Sequence, residues 1–415
     1  MSQSSFLDAP AKEPVTWVPS SAAAQVRLQH FLPKAGKAYA QQRNFDYGAD
    51  DRRNVSALSP WIRHRLLLED DVLRATLQRH SASAADKFIA EVFWRGYFKG
   101  WLEHHPNVWA RYKQNLVSLV DRLESDAALA RRYEEAVGGR TGIACFDTWA
   151  EELTEKGFLH NHARMWFASI WIFTLKLPWE LGADFFYRHL LDGDPASNTC
   201  SWRWVGGLHT QGKTYLARAS NIEKYTDARF NPDGHLITEA PALTEPDLRA
   251  PTPVTFPSDE MPGNRIGLLI TEEDCSPETL PLSVSPVAVL ALSSVTERSV
   301  LPLGDLAKVF APSGVVDAAT RAEEYFSCDV QTTKEENWSA LLEDWTNGHA
   351  LDALVTARLP IGPVTKRLKS ATRDLSVPLI EITRDYDRAV WPYAKRGFFG
   401  LRKKMPHILA ETGLA

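Results

Sequence analysis

From about Gln25 to Asp227, apolar residues recur at spacings of three and four, the pattern of helices that each bury one face. It is clearest in "LSPWIRHRLLLEDDVLRATL", "ADKFIAEVFWRGYFKGWLEHH" and "CFDTWAEELTEKGFLHNHARMWFASIWIFTLKL". Ser59 before Pro60 predicts an N-cap with proline at the first helical position, and Pro178 predicts the end of the long apolar helix. The pattern lapses after Arg229, where Pro232, Pro241, Pro246, Pro251, Pro253, Pro257 and Pro262 punctuate acids and threonines, so residues 228–263 read as a linker. Beyond Asn264 short apolar runs ("IGLLI", "VAVLAL", "ALVTA", "PLIEI") alternate with helical stretches such as "AATRAEEYF" and "WSALLEDW", which is βαβ logic. The predicted fold class is therefore α plus α/β. A disordered lead (1–24) precedes a helical domain (25–227), the linker, and a small, mostly parallel sheet with helices on its faces (264–415).

Composition narrows the function classes. At 44% hydrophobic and 24% charged residues the chain is an ordinary globular one, and its net charge of −5 excludes nucleic-acid binding by bulk positive charge, so any such binding needs a local basic patch. Cys145, Cys200, Cys275 and Cys328 are scattered without a C-x-x-C pair, which suggests neither a zinc site nor a disulfide framework and fits a reducing cytoplasm. The opening "MSQSSFLDAPAKEPV" lacks the basic start and apolar run of a signal peptide. "MWFASIWIFTL" is about half of the roughly 20 residues a membrane span needs, so it reads as a buried helix. No G-x-G-x-x-G or P-loop follows the predicted strands. His160 and His162, two apart, point to different sides of a helix and make no metal site.

Most of the 14 tryptophans fall in the helical half, and Trp149, Trp166 and Trp171 are assigned to its core. Others sit among charges. In "EVFWRGYFKGW", Glu91 and Trp94 are three apart and share a helix face beside Arg95; in "HNHARM" the same spacing joins Asn161 to Arg164 and His162 to Met165. "LLDGDPASNTCSWRWVGG" places Asp192, Asp194 and Asn198 just ahead of Trp202 and Trp204, an arrangement a core does not need. Such groups would line a polar pocket.

These motifs, with "YAQQRNF" from Tyr39, "VSALSPWI" from Val55 and "TGIACFDTW" from Thr141, occur in an order that resembles the flavin-binding helical domain of the photolyase/cryptochrome family, from Tyr39 to about Tyr225. The motifs are closest to those of cyclobutane pyrimidine dimer photolyases. The resemblance implies FAD as cofactor. Tyr39, Ser56 and Ser59 would serve its pyrophosphate, Arg164 would pair with Asp192 beside the ring system, Asp194 would meet the ring's uracil-like edge, and Asn198 would sit against N5; Arg95 and Asn161 complete the implied cofactor set. It also implies a pocket for a pyrimidine dimer flipped out of double-stranded DNA. Trp94 and Trp204 would form its walls, Glu91, Asn161 and Met165 its floor, and Arg43 would stand near the phosphate. Trp202 and Trp179 match the first two members of the family's tryptophan chain for photoreduction. Asn161 and Met165 stand where the (6-4) branch has histidines, which favours the cyclobutane lesion.

The chain departs from the family pattern in three places. Val55 replaces the threonine that opens the phosphate loop, and the third tryptophan of the chain has no clear counterpart, since the segment from Pro106 to Gly142 offers a single tryptophan, Trp109, besides tyrosines such as Tyr112. The family's α/β antenna domain, which there precedes the helical domain, here resembles residues 264–415, as in a circular permutation; "NRIGLLITEEDCSPETL" is similar to its first strand and "AVWPYAKRGFFGLRKKMP" to its exit segment. An unrelated α/β domain is the alternative, and the antenna chromophore is unknown. Three readings follow: light-driven repair of cyclobutane dimers, a cryptochrome-like photoreceptor that binds FAD and signals through a protein partner, or a flavoprotein that has lost both roles. The discriminator is a basic rim of Arg43, Arg52, Arg53, Lys99, Arg203 and Lys213 around the pocket mouth, because phosphate contacts position a duplex, and the scattering of those side chains over the surface would count against repair.

Overall fold

The structure, a computed structural model, describes residues 11–246 and 251–415. Residues 1–10 of the expected disordered lead lie outside the described residues, but 11–24 do not behave as expected. Glu13 pairs with Arg27 and Lys34, each at 2.6 Å. Trp17 stacks on Phe158 with ring centroids 4.8 Å apart and donates to the Ala57 carbonyl at 3.0 Å, and a helix capped by Ser20 begins at Ser21. An acid and a tryptophan with fixed partners offset the backbone entropy that the small and polar composition would otherwise keep.

From Ser21 to Tyr225 every regular element is a helix, as the periodicity predicts. "LSPWIRHRLLLEDDVLRATL" divides into Ser59–Arg63 and Glu69–Arg79, with Arg65 in the left-handed region (φ 50°) at the break. Ser59 is the first helical residue and Leu58 occupies the cap, a one-residue offset that frees the Ser59 hydroxyl for the cavity described below. Trp149, Trp166 and Trp171 are fully buried. The helix Asp86–His104 buries Phe88, Phe93, Tyr97 and Trp101 on its inner side. Its Gly100 permits a close crossing, since a Cβ there would lie 2.8 Å from the Trp391 backbone.

The C-terminal half holds five parallel strands: β1 (Ile266–Ile270), β2 (Ala288–Ala291), β3 (Asp329–Thr332), β4 (Ala353–Ala357) and β5 (Leu379–Ile382), in the order β3-β2-β1-β4-β5. Four of them are the apolar runs of the sequence. The fifth, β3, is a polar edge strand that carries no hydrophobic pattern to find. Leu269 and Leu290 face the helices Trp338–Gly348 and Pro363–Ala371, while Leu268, Ile270 and Val289 face Asp305–Phe326.

The two halves share one core. Leu268 and Ile270 of β1 belong to the same apolar cluster as Phe88 and Phe93, and so do Tyr386, Val390, Trp391 and Phe398 from the chain after β5. Residues 385–411, counted by sequence with the sheet, thus pack on the helical half, because their apolar positions match the face of Asp86–His104 and not that of the sheet. Among its described residues the proline-rich segment has no helix or strand but is pinned: Leu243 donates to Gly206 O at 2.9 Å and Thr252 to His104 O at 2.8 Å.

Charges also cross between the halves. The acidic turn after β1 meets "RHR" of the helical half. Arg63 makes a two-pronged pair with Glu273 (2.6 and 2.7 Å), Arg65 one with Asp387 (2.8 Å), and Arg384 grips Asp274 (2.6 and 2.7 Å), all buried. Among the described residues no helix is long and apolar enough to cross a membrane. All four cysteines are free.

Candidate functional site

A cavity of about 640 Å³ opens between the helix Asp86–His104, the loop before Ser59–Arg63, the helix Asn161–Ser169 and the helix Pro195–Val205. It gathers side chains from six separate stretches of sequence, and every predicted site residue except Trp179 lines it.

One wall is acidic. Asp192 Oδ2 accepts from Arg164 Nη2 at 2.9 Å, and Arg164 is itself held by Nε donating to Leu159 O at 2.9 Å. Burial pushes the Asp192 carboxyl up, but Arg164 and the nearby Ser59 hydroxyl outweigh it and hold the pKa below the usual carboxylate range. Asp194 caps the helix Pro195–Val205 by accepting from Ser197 N at 2.7 Å. Its other oxygen lies 3.5 Å from Arg63 Nε; burial is again outweighed, here by Arg63, Lys99 and Arg95, so Asp194 is strongly acidic. Asn198 donates from Nδ2 to Ala183 O at 2.7 Å, which fixes its amide. Around this wall Asp192 Oδ1, Asp194 Oδ2, Ser197 Oγ and Arg95 Nε and Nη2 are buried without partners. Orphaned buried polar atoms are costly, so a cluster of them facing one cavity marks a place for a polar ligand.

The loop "VSAL" closes one end. Val55 and Ser56 carbonyls accept from Arg27 at 2.8 and 2.7 Å, and Ala57 is held at φ 53°, a conformation alanine rarely adopts. Tyr39 also lines the cavity, with its hydroxyl in reach of Arg43 and Glu91.

At the other end Arg43 pairs with Glu91. Burial pushes the Glu91 pKa up, against the pull of Arg43. Asn161 Nδ2 lies 3.9 Å from Met165 Sδ, and His160, buried and pushed down to about 3 by that burial, accepts the cap bond of this helix from His162 N and contacts Arg43 O. Trp204 stacks near Tyr215 with centroids 5.5 Å apart.

Trp94 holds a feature that its sequence neighbours do not announce. Its ring is stacked on Phe398, with centroids 3.7 Å apart and planes 12° apart, so one face is already covered, and the next residue, Phe399, lines the cavity. The segment expected as a domain exit thus forms part of the site; the signal available was an aromatic pair between glycines in a basic stretch, "KRGFFGLRKK".

Trp202, 2% exposed, packs on Phe186, Trp171 and Phe167 with centroids 5.1 to 6.4 Å away. Trp179 lies outside the cavity with its ring 5.7 Å from Tyr112, which is 5.2 Å from Trp109. Tyr112 and Trp109 therefore continue the aromatic series from Trp179, while Tyr133, the third aromatic of the segment from Pro106 to Gly142, lies 6.1 Å from the Trp171 ring.

The expected basic rim is not formed. Arg52 is buried against Glu152 and Asp46, Arg203 against Glu245, and Lys99 is 2% exposed in the Arg63–Asp194–Glu273 cluster. Their charges are consumed by distant acids that sequence proximity could not reveal. Arg53 packs over Tyr47 and pairs with Asp51, Lys213 is exposed, and of the six only Arg43 lines the cavity.

Residues 88–250 match the family described as the FAD binding domain of DNA photolyase. A deoxyribodipyrimidine photo-lyase of Thermus thermophilus is 32% identical over 219 residues, 53% of this chain and 50% of that protein. A cryptochrome DASH of Idiomarina loihiensis is 26% identical over 213 residues, 50% of this chain and 45% of that protein. The crystal structure of a bacterial class III photolyase from Agrobacterium tumefaciens aligns with 51% of this chain and 43% of its own, at 26% identity and a TM-score of 0.42. The chain spans about half the length of the curated relatives it matches.

Proposed function

We propose that this chain, whose helical half is related to the photolyases and cryptochromes, binds FAD in the cavity and repairs cyclobutane pyrimidine dimers in double-stranded DNA under blue light. One observation carries the reading: a single cavity is lined both by acids and other polar groups with orphaned atoms and by Arg43, Glu91, Trp94, Asn161, Met165 and Trp204.

The residues present fit the cofactor. Asp192 and Asp194 offer acceptors to ring N–H groups, Arg164 and Arg95 offer compensating positive charge, and Tyr39, Ser56 and Ser59 offer hydroxyls to the pyrophosphate. Val55 lacks the threonine hydroxyl, and Arg27 fixes the loop by donating to the Val55 and Ser56 carbonyls. When bound, the flavin supplies the electron that opens the dimer. The chain's own residues do the rest. Asn198, its amide fixed by Ala183, presents its carbonyl oxygen and second N–H to the ring. Glu91, paired with Arg43, would fix that guanidinium beside the base, while Asn161 and Met165 would hold the base edge. Trp204 and the uncovered side of Trp94 wall an extruded base. Trp202, with Trp179, Tyr112 and Trp109 beyond it, offers aromatic stepping stones towards the surface.

The parallel sheet following the helical half supports its reading as a permuted antenna-like domain, and the free cysteines support a reducing compartment such as the cytoplasm. A second reading, a photoreceptor that signals through a protein partner, is favoured by two findings: Phe398 covers one face of Trp94, and three of the six expected rim cations are buried.

The test is binding in the dark. Purified FAD-loaded protein is titrated with a duplex containing one thymine dimer and with the undamaged duplex. Repair predicts at least tenfold preference for the damaged one, since an unpaired lesion costs less to extrude. Equal, weak affinity for both would favour the photoreceptor.

A further inference from the structure

The rim expected for a duplex is missing from the helical half, yet one residue that lines the cavity stands in a basic stretch of sequence. Between Arg388 and Ala410 the chain has six Lys or Arg and no Asp or Glu, in a protein of net charge −5. In the middle of this stretch stands Phe399, which lines the cavity and at 73% is the most exposed large apolar side chain among the described residues. An aromatic ring left in water at the edge of a built cavity calls for an occupant on its free face.

Phe399 is not on a loose loop. Phe398 is locked on Trp94, Leu401 is fully buried, and Arg402 Nη2 donates to both oxygens of Asp86 at 2.7 and 3.0 Å. The flanking Gly397 and Gly400 are exposed, and a Cβ built on either would meet nothing within 4 Å, so a ligand can approach the backbone on both sides. Lys395, Arg396 and Lys403 are exposed and make no ion pair among the described residues. A rigid exposed ring between free cations is the complement of a nucleobase between phosphates.

We infer that the segment 395–404 is a DNA-docking element: Phe399 stacks on a nucleobase beside the extruded lesion, filling the space the lesion leaves, and Lys395, Arg396 and Lys403 contact the flanking phosphates. The inference rests on the repair reading and assigns it a recognition element from the C-terminal half of the chain.

The experiment measures dark binding of the FAD-loaded protein to the dimer duplex over a range of salt. Phe399→Ala should bind about 5- to 150-fold more weakly, the loss of one base stack, with FAD content and salt dependence unchanged, and Phe399→Trp should retain affinity. The triple variant Lys395→Ala, Arg396→Ala, Lys403→Ala should make the plot of log affinity against log salt shallower by about two to three units, at roughly 0.9 per phosphate contact. If the unaltered chain prefers the dimer duplex and both variants bind as it does, the inference is overturned and the repair reading stands. A lowered salt slope with full affinity in Phe399→Ala overturns the stacking role. No binding by the unaltered chain overturns the repair reading, and this inference with it.

Discussion

Replacing Glu273 by Gln probes how the sheet half is joined to the cavity. Glu273 accepts from Arg63 Nη2 and Nη1 at 2.6 and 2.7 Å, and neither side chain is more than 2% exposed. Arg63 also approaches Asp194 at 3.5 Å, and the buried Lys99 draws on the same two acids. With Glu273 neutral, two buried cations share the single charge of Asp194. Two charges about 4 Å apart interact by roughly 4 kcal/mol at an effective dielectric constant of about 20. A glutamine that still accepts one N–H recovers part of this, so the expected loss is about 3 kcal/mol, the lower end of the cost of breaking a buried pair. The assay is equilibrium urea unfolding followed by tryptophan emission, on Glu273→Gln, Arg63→Met and the double variant. The pair should show a coupling of about 2 kcal/mol or more, the double variant being less damaged than the sum of the singles. Additivity within about 0.5 kcal/mol would refute the reasoning, since it would mean that Arg63 does not depend on Glu273.

Three further outcomes follow from the same geometry. Asp192→Ala leaves Arg164 without its 2.9 Å acceptor and removes an acceptor from the cavity, so FAD should bind about 10- to 100-fold more weakly, read as flavin absorbance retained through gel filtration; full retention counts against the cavity assignment. His160 is buried and neutral with its pKa pushed down to about 3, whereas unfolded it titrates near 6.5. Below that pH the unfolded chain binds the extra proton, so its contribution to stability is complete above about pH 6.5 and falls by about 1 kcal/mol on reaching pH 5.5; His160→Asn should flatten the urea midpoint against pH by that amount, and an unchanged slope would contradict the burial argument. Tyr112→Phe removes a readily oxidised ring between Trp179 and Trp109, so blue-light reduction of the bound flavin with an external thiol should slow several-fold, and an unchanged rate would send the route through Trp171 instead.

Much of the site was legible because its residues come in short runs whose spacing fixes a face. Glu91, Trp94 and Arg95 lie within about one turn of the helix Asp86–His104, and Asn161, Arg164 and Met165 within about one turn of another. The fold class was legible from the change of hydrophobic period near Asn264. What sequence could not carry was pairing at a distance. Arg52, Lys99 and Arg203 read as surface cations until Glu152, Asp194 and Glu245 come to meet them. Phe398 lies about three hundred residues from the Trp94 ring it covers, and no local pattern links the two. β3 escaped because an exposed edge strand needs no apolar alternation, and residues 11–24 because composition reports chain entropy but not the partners of Glu13 and Trp17.

The most direct measurement is repair itself: reduced, FAD-loaded protein is mixed with a duplex carrying one thymine dimer, and the return of intact thymines is followed with and without blue light. Light-dependent restoration with many turnovers per protein, and none in the dark, is the expected result. Bound and fully reduced FAD, a bound dimer duplex and no restoration under light would contradict it.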